Sequence, residues 1–167
     1  MNPCRCGHVA DASLACGKAP KCVADYQSKI SGPVFDRIDI HIDVPAVKAS
    51  DLALPPPREN SAMVALRVDA ARALQTERFA AMNAPAHLLT NADADGDILM
   101  KIAPLGAAAQ KLLTDAAEKM KLSARGYHRV LRVARTIADL AGAENIDTPH
   151  IAEALGYRRL RSVSNAA

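Results

Sequence analysis

Leu122-Ser123-Ala124-Arg125-Gly126-Tyr127-His128-Arg129-Val130-Leu131-Arg132-Val133-Ala134-Arg135-Thr136-Ile137-Ala138-Asp139-Leu140 is the stretch that decides the fold. At 100° per residue, Val130, Ala134, Ile137, Ala138 and Ala141 share one face, and Arg125, His128, Arg129, Arg132 and Asp139 share the opposite one. The division predicts an amphipathic helix capped by Ser123 and stopped after Ala141 by Gly142. The polar face has two readings. It is a solvated surface, or it holds an arginine on a rigid element to meet a phosphate, whose oxygens the planar guanidinium bonds in pairs. Arg125, in the first turn, stands against the helix dipole, which favours the second reading there.

Outward from this helix, Thr148-Pro149 opens a shorter one to about Leu155, and Pro104 opens another that runs to about Met120. A helix from the cap Ser61 to about Met82 is closed by Asn83-Ala84-Pro85. Residues 85–97 read as a loop. Within it, Asn91-Ala92-Asp93-Ala94-Asp95-Gly96 resembles the start of a calcium loop, but Ile102 stands where a bidentate Glu is required, so an acidic solvent loop is expected. Residues 45–60, with Pro55-Pro56-Pro57, read as an extended linker. In residues 37–44, Ile38, Ile40, Ile42 and Val44 alternate with Arg37, Asp39, His41 and Asp43, which predicts a strand ended by Pro45. Residues 1–30 read as irregular, with a short helix near Val23–Lys29. The expected fold class is mainly α: one strand and a cysteine loop, then a helical bundle.

The 167 residues are 50% hydrophobic and 23% charged, a globular balance that excludes a fully disordered chain. No window approaches the roughly 18 apolar residues of a membrane helix, and the N-terminus has no signal-peptide pattern. A cytoplasmic protein with no membrane partner is expected. Aromatics are 3% with no Trp, which argues against a base-stacking single-strand binder. Residues 121–167 carry eight basic and four acidic side chains, a mild footprint for a phosphate-bearing partner, DNA included.

Cys4, Cys6, Cys16 and Cys22 form a C-x-C-x9-C-x5-C pattern with His8 nearby, and no cysteine occurs afterwards. In a reducing compartment, clustered thiols point to a structural, tetrahedral zinc ion. Free or redox-active thiols and disulfides are the alternatives.

Three segments together resemble one family. Met1-Asn2-Pro3-Cys4-Arg5-Cys6-Gly7 resembles the sensor-1 segment of magnesium-chelatase-like AAA+ ATPases of the ComM/YifB type, and Ser31-Gly32-Pro33-Val34-Phe35-Asp36-Arg37-Ile38-Asp39 their arginine-finger segment. Leu122–Leu140 resembles their sensor-2 helix, and the order agrees over about residues 1–160. The resemblance implies that the chain corresponds to roughly the last third of such an ATPase. Residues 1–45 would be the end of the AAA+ core with a cysteine-rich insert, 46–97 a Pro-rich linker and helix, 98–160 the helical lid, and 161–167 a tail. It implies that Asn2 orients the attacking water, that Arg37 reaches the γ-phosphate of a neighbouring subunit, and that Arg125 touches the phosphates of its own subunit's nucleotide. It also implies a homo-hexameric motor for DNA branch migration in natural transformation.

The chain departs from that family in having no G-x-x-x-x-G-K-[ST]; its Gly17-Lys18 is followed by Ala19. It also lacks an apolar strand ending in paired acids that could hold magnesium. ATP and Mg2+ are therefore expected only in the context of a full-length subunit. Two other readings of the residues stand beside this one: a non-enzymatic zinc-and-helix module that binds nucleic acid or protein, and a truncated, non-autonomous gene product.

Overall fold

The structure, a computed structural model, describes residues 4–8, 13–42, 44, 47, 49–55 and 58–158. The chain divides into two compact units, the described residues up to Ile38 and those from Asp39 onward. The first holds the short helices α1, Lys21–Gln27, and α2, Gly32–Asp36. The second is helical: α3, Ser61–Ala81; α4, Gly96–Ile102; α5, Ala107–Met120; α6, Ala124–Leu140; α7, Thr148–Gly156. Tight 3-10 turns span Ala49–Ala53 and Asn91–Asp93. The mainly helical class read from the sequence is what the chain adopts.

The core of the second unit is built around α6. Val130, Leu131, Ala134 and Ala138 are fully or almost fully buried. They pack with Leu99 of α4, Leu113 of α5 and Ile151 of α7. Both ends of α6 are fixed by local chemistry. Ser123 Oγ accepts the Gly126 N–H at 3.0 Å. At the other end Gly142 takes φ +67°, and Ala143 N–H donates to Ala138 O at 2.8 Å while Gly142 N–H donates to Asp139 O at 3.0 Å. This is a Schellman turn, whose left-handed residue is least costly as glycine.

Four sequence expectations are corrected. The cap of α3 is Asn60, not Ser61: its side-chain oxygen accepts the Met63 N–H at 2.9 Å. The segment read as a loop over 85–97 contains the Asn91–Asp93 turn and the start of α4, whose cap is Asp95, so its acidic residues serve as helix and turn caps. Pro104 opens no helix; it lies between α4 and α5, and α5 starts at Ala107. The alternating stretch 37–44 joins no ladder among its described residues. Its main chain donates His41 N–H to Tyr157 O at 2.9 Å, and Ile42 and Val44 are exposed. Alternation makes a strand only when another strand lies alongside, and the neighbours of Ile40 and Ile42 are α6 and α7. The one β-bridge among the described residues joins Leu105 and Ile146.

The largest departure concerns the polar face of α6. Asp139 and Arg135 are 2% and 1% exposed, inside the protein rather than in solvent. Arg78 of α3 makes a two-pronged ion pair with the Asp139 carboxylate. Asn91 Nδ2 donates to Asp139 at 2.8 Å and to Thr136 Oγ1 at 3.1 Å. Arg135 Nε donates to Asp139 at 3.1 Å, and its remaining nitrogens donate to the Glu144 and Ala143 carbonyls at 2.8 and 2.7 Å. Gln75 accepts the Asn91 main-chain N–H at 3.1 Å. One carboxylate thus answers two guanidiniums, and the surplus positive charge is met by carbonyls beyond the α6 C-terminus, where cations are favoured. Burial lowers the pKa of Arg135, and Asp139 opposes that shift.

Asp139→Ala strips both guanidiniums of their shared carboxylate and is expected to destabilise the chain by about 3–5 kcal/mol. Leu131→Ala opens a cavity in the core and should cost about 2–5 kcal/mol. Urea unfolding followed by helical circular dichroism measures both; an Asp139→Ala loss below about 1 kcal/mol would contradict the network's role.

Candidate functional site

The N-terminal unit gathers its cysteines. Cys4-Arg5-Cys6-Gly7 forms a turn in which Gly7 N–H donates to Cys4 O at 3.2 Å, with Gly7 at φ +81°, a value that suits glycine. Ala19 N–H donates to Cys16 O at 3.0 Å, and Cys22 N–H, at the start of α1, donates to Lys18 O at 3.0 Å. These turns bring the sulfurs of Cys4, Cys6 and Cys22 within 4.8 Å of one another, with Cys4 and Cys6 at 3.2 Å. Cys16 falls outside this triple, although its thiol hydrogen-bonds those of Cys22 and Cys6. Cys4 is fully buried and the other three half-buried, and all four are free thiols.

The electrostatics are uneven. Main-chain N–H groups of His8 and Cys16 point at the Cys6 sulfur, with the Cys4 thiol also donating, and lower its pKa to about 6. The Cys22 thiol, bonded to Cys16 and partly desolvated, is raised to about 11. Cys6 is therefore a thiolate at neutral pH, the form that binds metal. An all-thiol set suits a soft tetrahedral ion, whose bonds of about 2.3 Å place sulfurs about 3.8 Å apart. The observed spacing fits such an ion with small movements of the sulfurs. The sequence alone identified the four cysteines but not the N–H donors at His8 and Cys16; Gly7 directly after Cys6 was the available sign of the turn that aims the first of them.

Among the other sequence-predicted site residues, Asn2 lies outside the described residues. Arg37 directly follows α2, with its N–H donating to Val34 O at 3.0 Å; its side chain is exposed and pairs with no described residue. Asp39, at the start of the second unit, is ion-paired to Arg129.

Arg125 projects from the first turn of α6 and is also exposed. The basic residues that follow it are engaged. His128 stands 3.6 Å from Asp95, and Arg132 donates to Ala94 O at 2.8 Å and lies 3.3 Å from Asp95. The Gly96 N–H, with Arg132 and His128 behind it, holds the Asp95 carboxyl below the usual carboxylate range. Of the arginines on α6, Arg125 is the one whose guanidinium has no partner among the described residues. Arg37 belongs to the first unit and Arg125 to the second.

In the metal-free chain at pH 7.5, iodoacetamide should label Cys6 before Cys22, because only the thiolate attacks. Peptide mapping by mass spectrometry checks the order; faster labelling of Cys22 would contradict the hydrogen-bond pattern.

The chain matches two families in succession. Residues 58–158 match the family described as magnesium chelatase, subunit ChlI C-terminal, and residues 1–52 match that described as magnesium chelatase, subunit ChlI. Competence protein ComM of Haemophilus influenzae is 37% identical over 161 residues, which is 96% of this chain and 30% of that protein. YifB of Salmonella typhimurium is 32% identical over 169 residues, and YifB of Escherichia coli 32% over 161, each covering 96% of this chain and 30% of the relative. The chain therefore spans about 30% of the length of these curated relatives. No helix among the described residues is long and apolar enough to cross a membrane. With the ChlI C-terminal match covering more than half of the sequence, the chain belongs to the magnesium chelatase ChlI family.

Proposed function

We propose that the chain acts as the C-terminal portion of a magnesium-chelatase-like AAA+ ATPase resembling ComM, within a hexameric ring of such subunits in the cytoplasm. The observation that carries the reading is Arg125: of the arginines on α6, it is the one left exposed and without a partner among the described residues, on a helix capped at both ends and anchored in the core. Arg37, also exposed, supports it from the first unit. In this reading residues 1–45 end the AAA+ core, 46–97 link it to the lid, 98–160 form the lid and 161–167 a tail.

Phosphoryl transfer spreads charge over γ-phosphate oxygens, and fixed guanidiniums stabilise that charge as it develops. Arg125 would contact phosphates of its own subunit's nucleotide, Arg37 would reach a neighbour's γ-phosphate, and Asn2 would orient the attacking water. ATP and Mg2+ would be cradled by sequence that carries a G-x-x-x-x-G-K-[ST], which this chain lacks. The motor would act on DNA by branch migration, in keeping with the competence name of the H. influenzae relative. Cys4, Cys6, Cys16 and Cys22 would bind zinc in a structural role, since a loop with little core of its own gains folding energy from metal.

The chain alone should show no ATP turnover above background. Mixed with a full-length H. influenzae ComM, it should alter that protein's ATP turnover, and Arg37→Ala should abolish the alteration. Turnover by the isolated chain would sink the claim that it has no nucleotide cradle; a mixture indifferent to Arg37→Ala would sink the role of Arg37. Protein purified without chelator should hold about one zinc per chain, and less than about 0.2 would end the zinc reading.

A further inference from the structure

The four cysteines are not equivalent. Cys4 is fully buried in the turn it forms with Gly7. Cys22 is fixed by its main-chain bond to Lys18 at the start of α1. Cys6 receives two main-chain N–H donors. Those three sulfurs form the close triple. Cys16 contributes something different: its own N–H is one of the donors to Cys6, and its carbonyl accepts from Ala19. Its sulfur touches the thiols of Cys6 and Cys22 but lies outside the close triple, and its main-chain bonds in the turn do not depend on that sulfur.

We propose that Cys4, Cys6 and Cys22 form a pre-set three-sulfur socket for a zinc-class ion, and that Cys16 is its exchangeable fourth ligand, the position at which a small thiol enters. The proposal rests on the reading that the cluster binds such a metal. In the exchange, the bond from the metal to the Cys16 sulfur breaks and a bond to the incoming thiol's sulfur forms. The proton released by the incoming thiol passes to Cys16, so charge and oxidation state are unchanged. A closed four-thiolate site holds its metal as an inert staple. A site with one releasable thiolate can pass its ion to, or accept it from, a cellular thiol carrier.

Cobalt(II) serves as the probe, titrated into the full chain and into Cys16→Ala, Cys6→Ala and Cys22→Ala. Cys16→Ala should keep a tetrahedral cobalt spectrum with about three-quarters of the wild-type sulfur-to-cobalt charge-transfer intensity. Glutathione should restore the missing part. Cys6→Ala and Cys22→Ala should bind at least about tenfold more weakly than Cys16→Ala. Helical circular dichroism checks that the helices of residues 58–158, which contain no cysteine, are intact in each variant. A measurement on the unmutated chain avoids folding effects: with zinc bound, iodoacetamide should label Cys16 first and leave the other three protected. Cobalt binding lost as fully in Cys16→Ala as in Cys6→Ala, or equal protection of all four thiols, overturns the exchangeable ligand while the metal site stands. An unmutated chain that binds no cobalt overturns the metal reading and this proposal with it.

Discussion

The carboxylate of Asp139 sits where α3, α6 and the Asn91–Asp93 turn converge, and the fold of the second unit depends on how it is satisfied. A lone buried carboxylate is very costly; one held by two guanidiniums and an amide is tolerated only if all its partners arrive together. Arg78 comes from 61 residues upstream and Asn91 from 48. The chain cannot close around α6 without also setting α3 and the turn in place. Hydrophobic burial supplies the driving force, but Val130, Ala134 and Ala138 could accept several neighbours; the polar network accepts one arrangement.

Much of the helical unit is legible locally. Ser123, Gly142 and Pro149 act through short-range geometry, and the structure uses Ser123 and Gly142 as the sequence suggests. What is not legible is anything decided by distant partners. Asp139 looks like a solvent-facing charge because a wheel diagram shows only one helix, and Arg78 and Asn91, which hold its carboxylate, lie elsewhere in the chain. The alternating isoleucines of 37–44 mislead for the converse reason: their pattern specifies a strand, but a strand is a property of two segments.

The cysteine loop shows the same split. Four thiols near one terminus point to a soft metal from composition alone, and the structure gathers three of them closely. Their ranking depends on main-chain hydrogen bonds, which a side-chain sequence does not encode except through Gly7. The arginines divide along similar lines. Arg125 and Arg129 are one helical turn apart and chemically identical, yet one is exposed and the other is paired to Asp39. Only the path of the extended segment beside α6 distinguishes them.

The arginines of α6 also bear on how this helix can change in evolution. Arg125 is exposed and has no partner among the described residues, Arg129 and Arg132 are each committed to an acidic partner, and Arg135 is locked in the interior. The last turn is immobilised by Asp139, so the azimuth of Arg125 is set by counting residues back from the buried end. One residue inserted or deleted between Arg125 and Val130 would swing Arg125 by about 100° around the helix axis while leaving the core anchored. Changes in the length of its first turns should therefore be tolerated less well than substitutions at exposed positions other than Arg125. The span from Arg125 to Asp139 acts as a ruler whose units are whole residues.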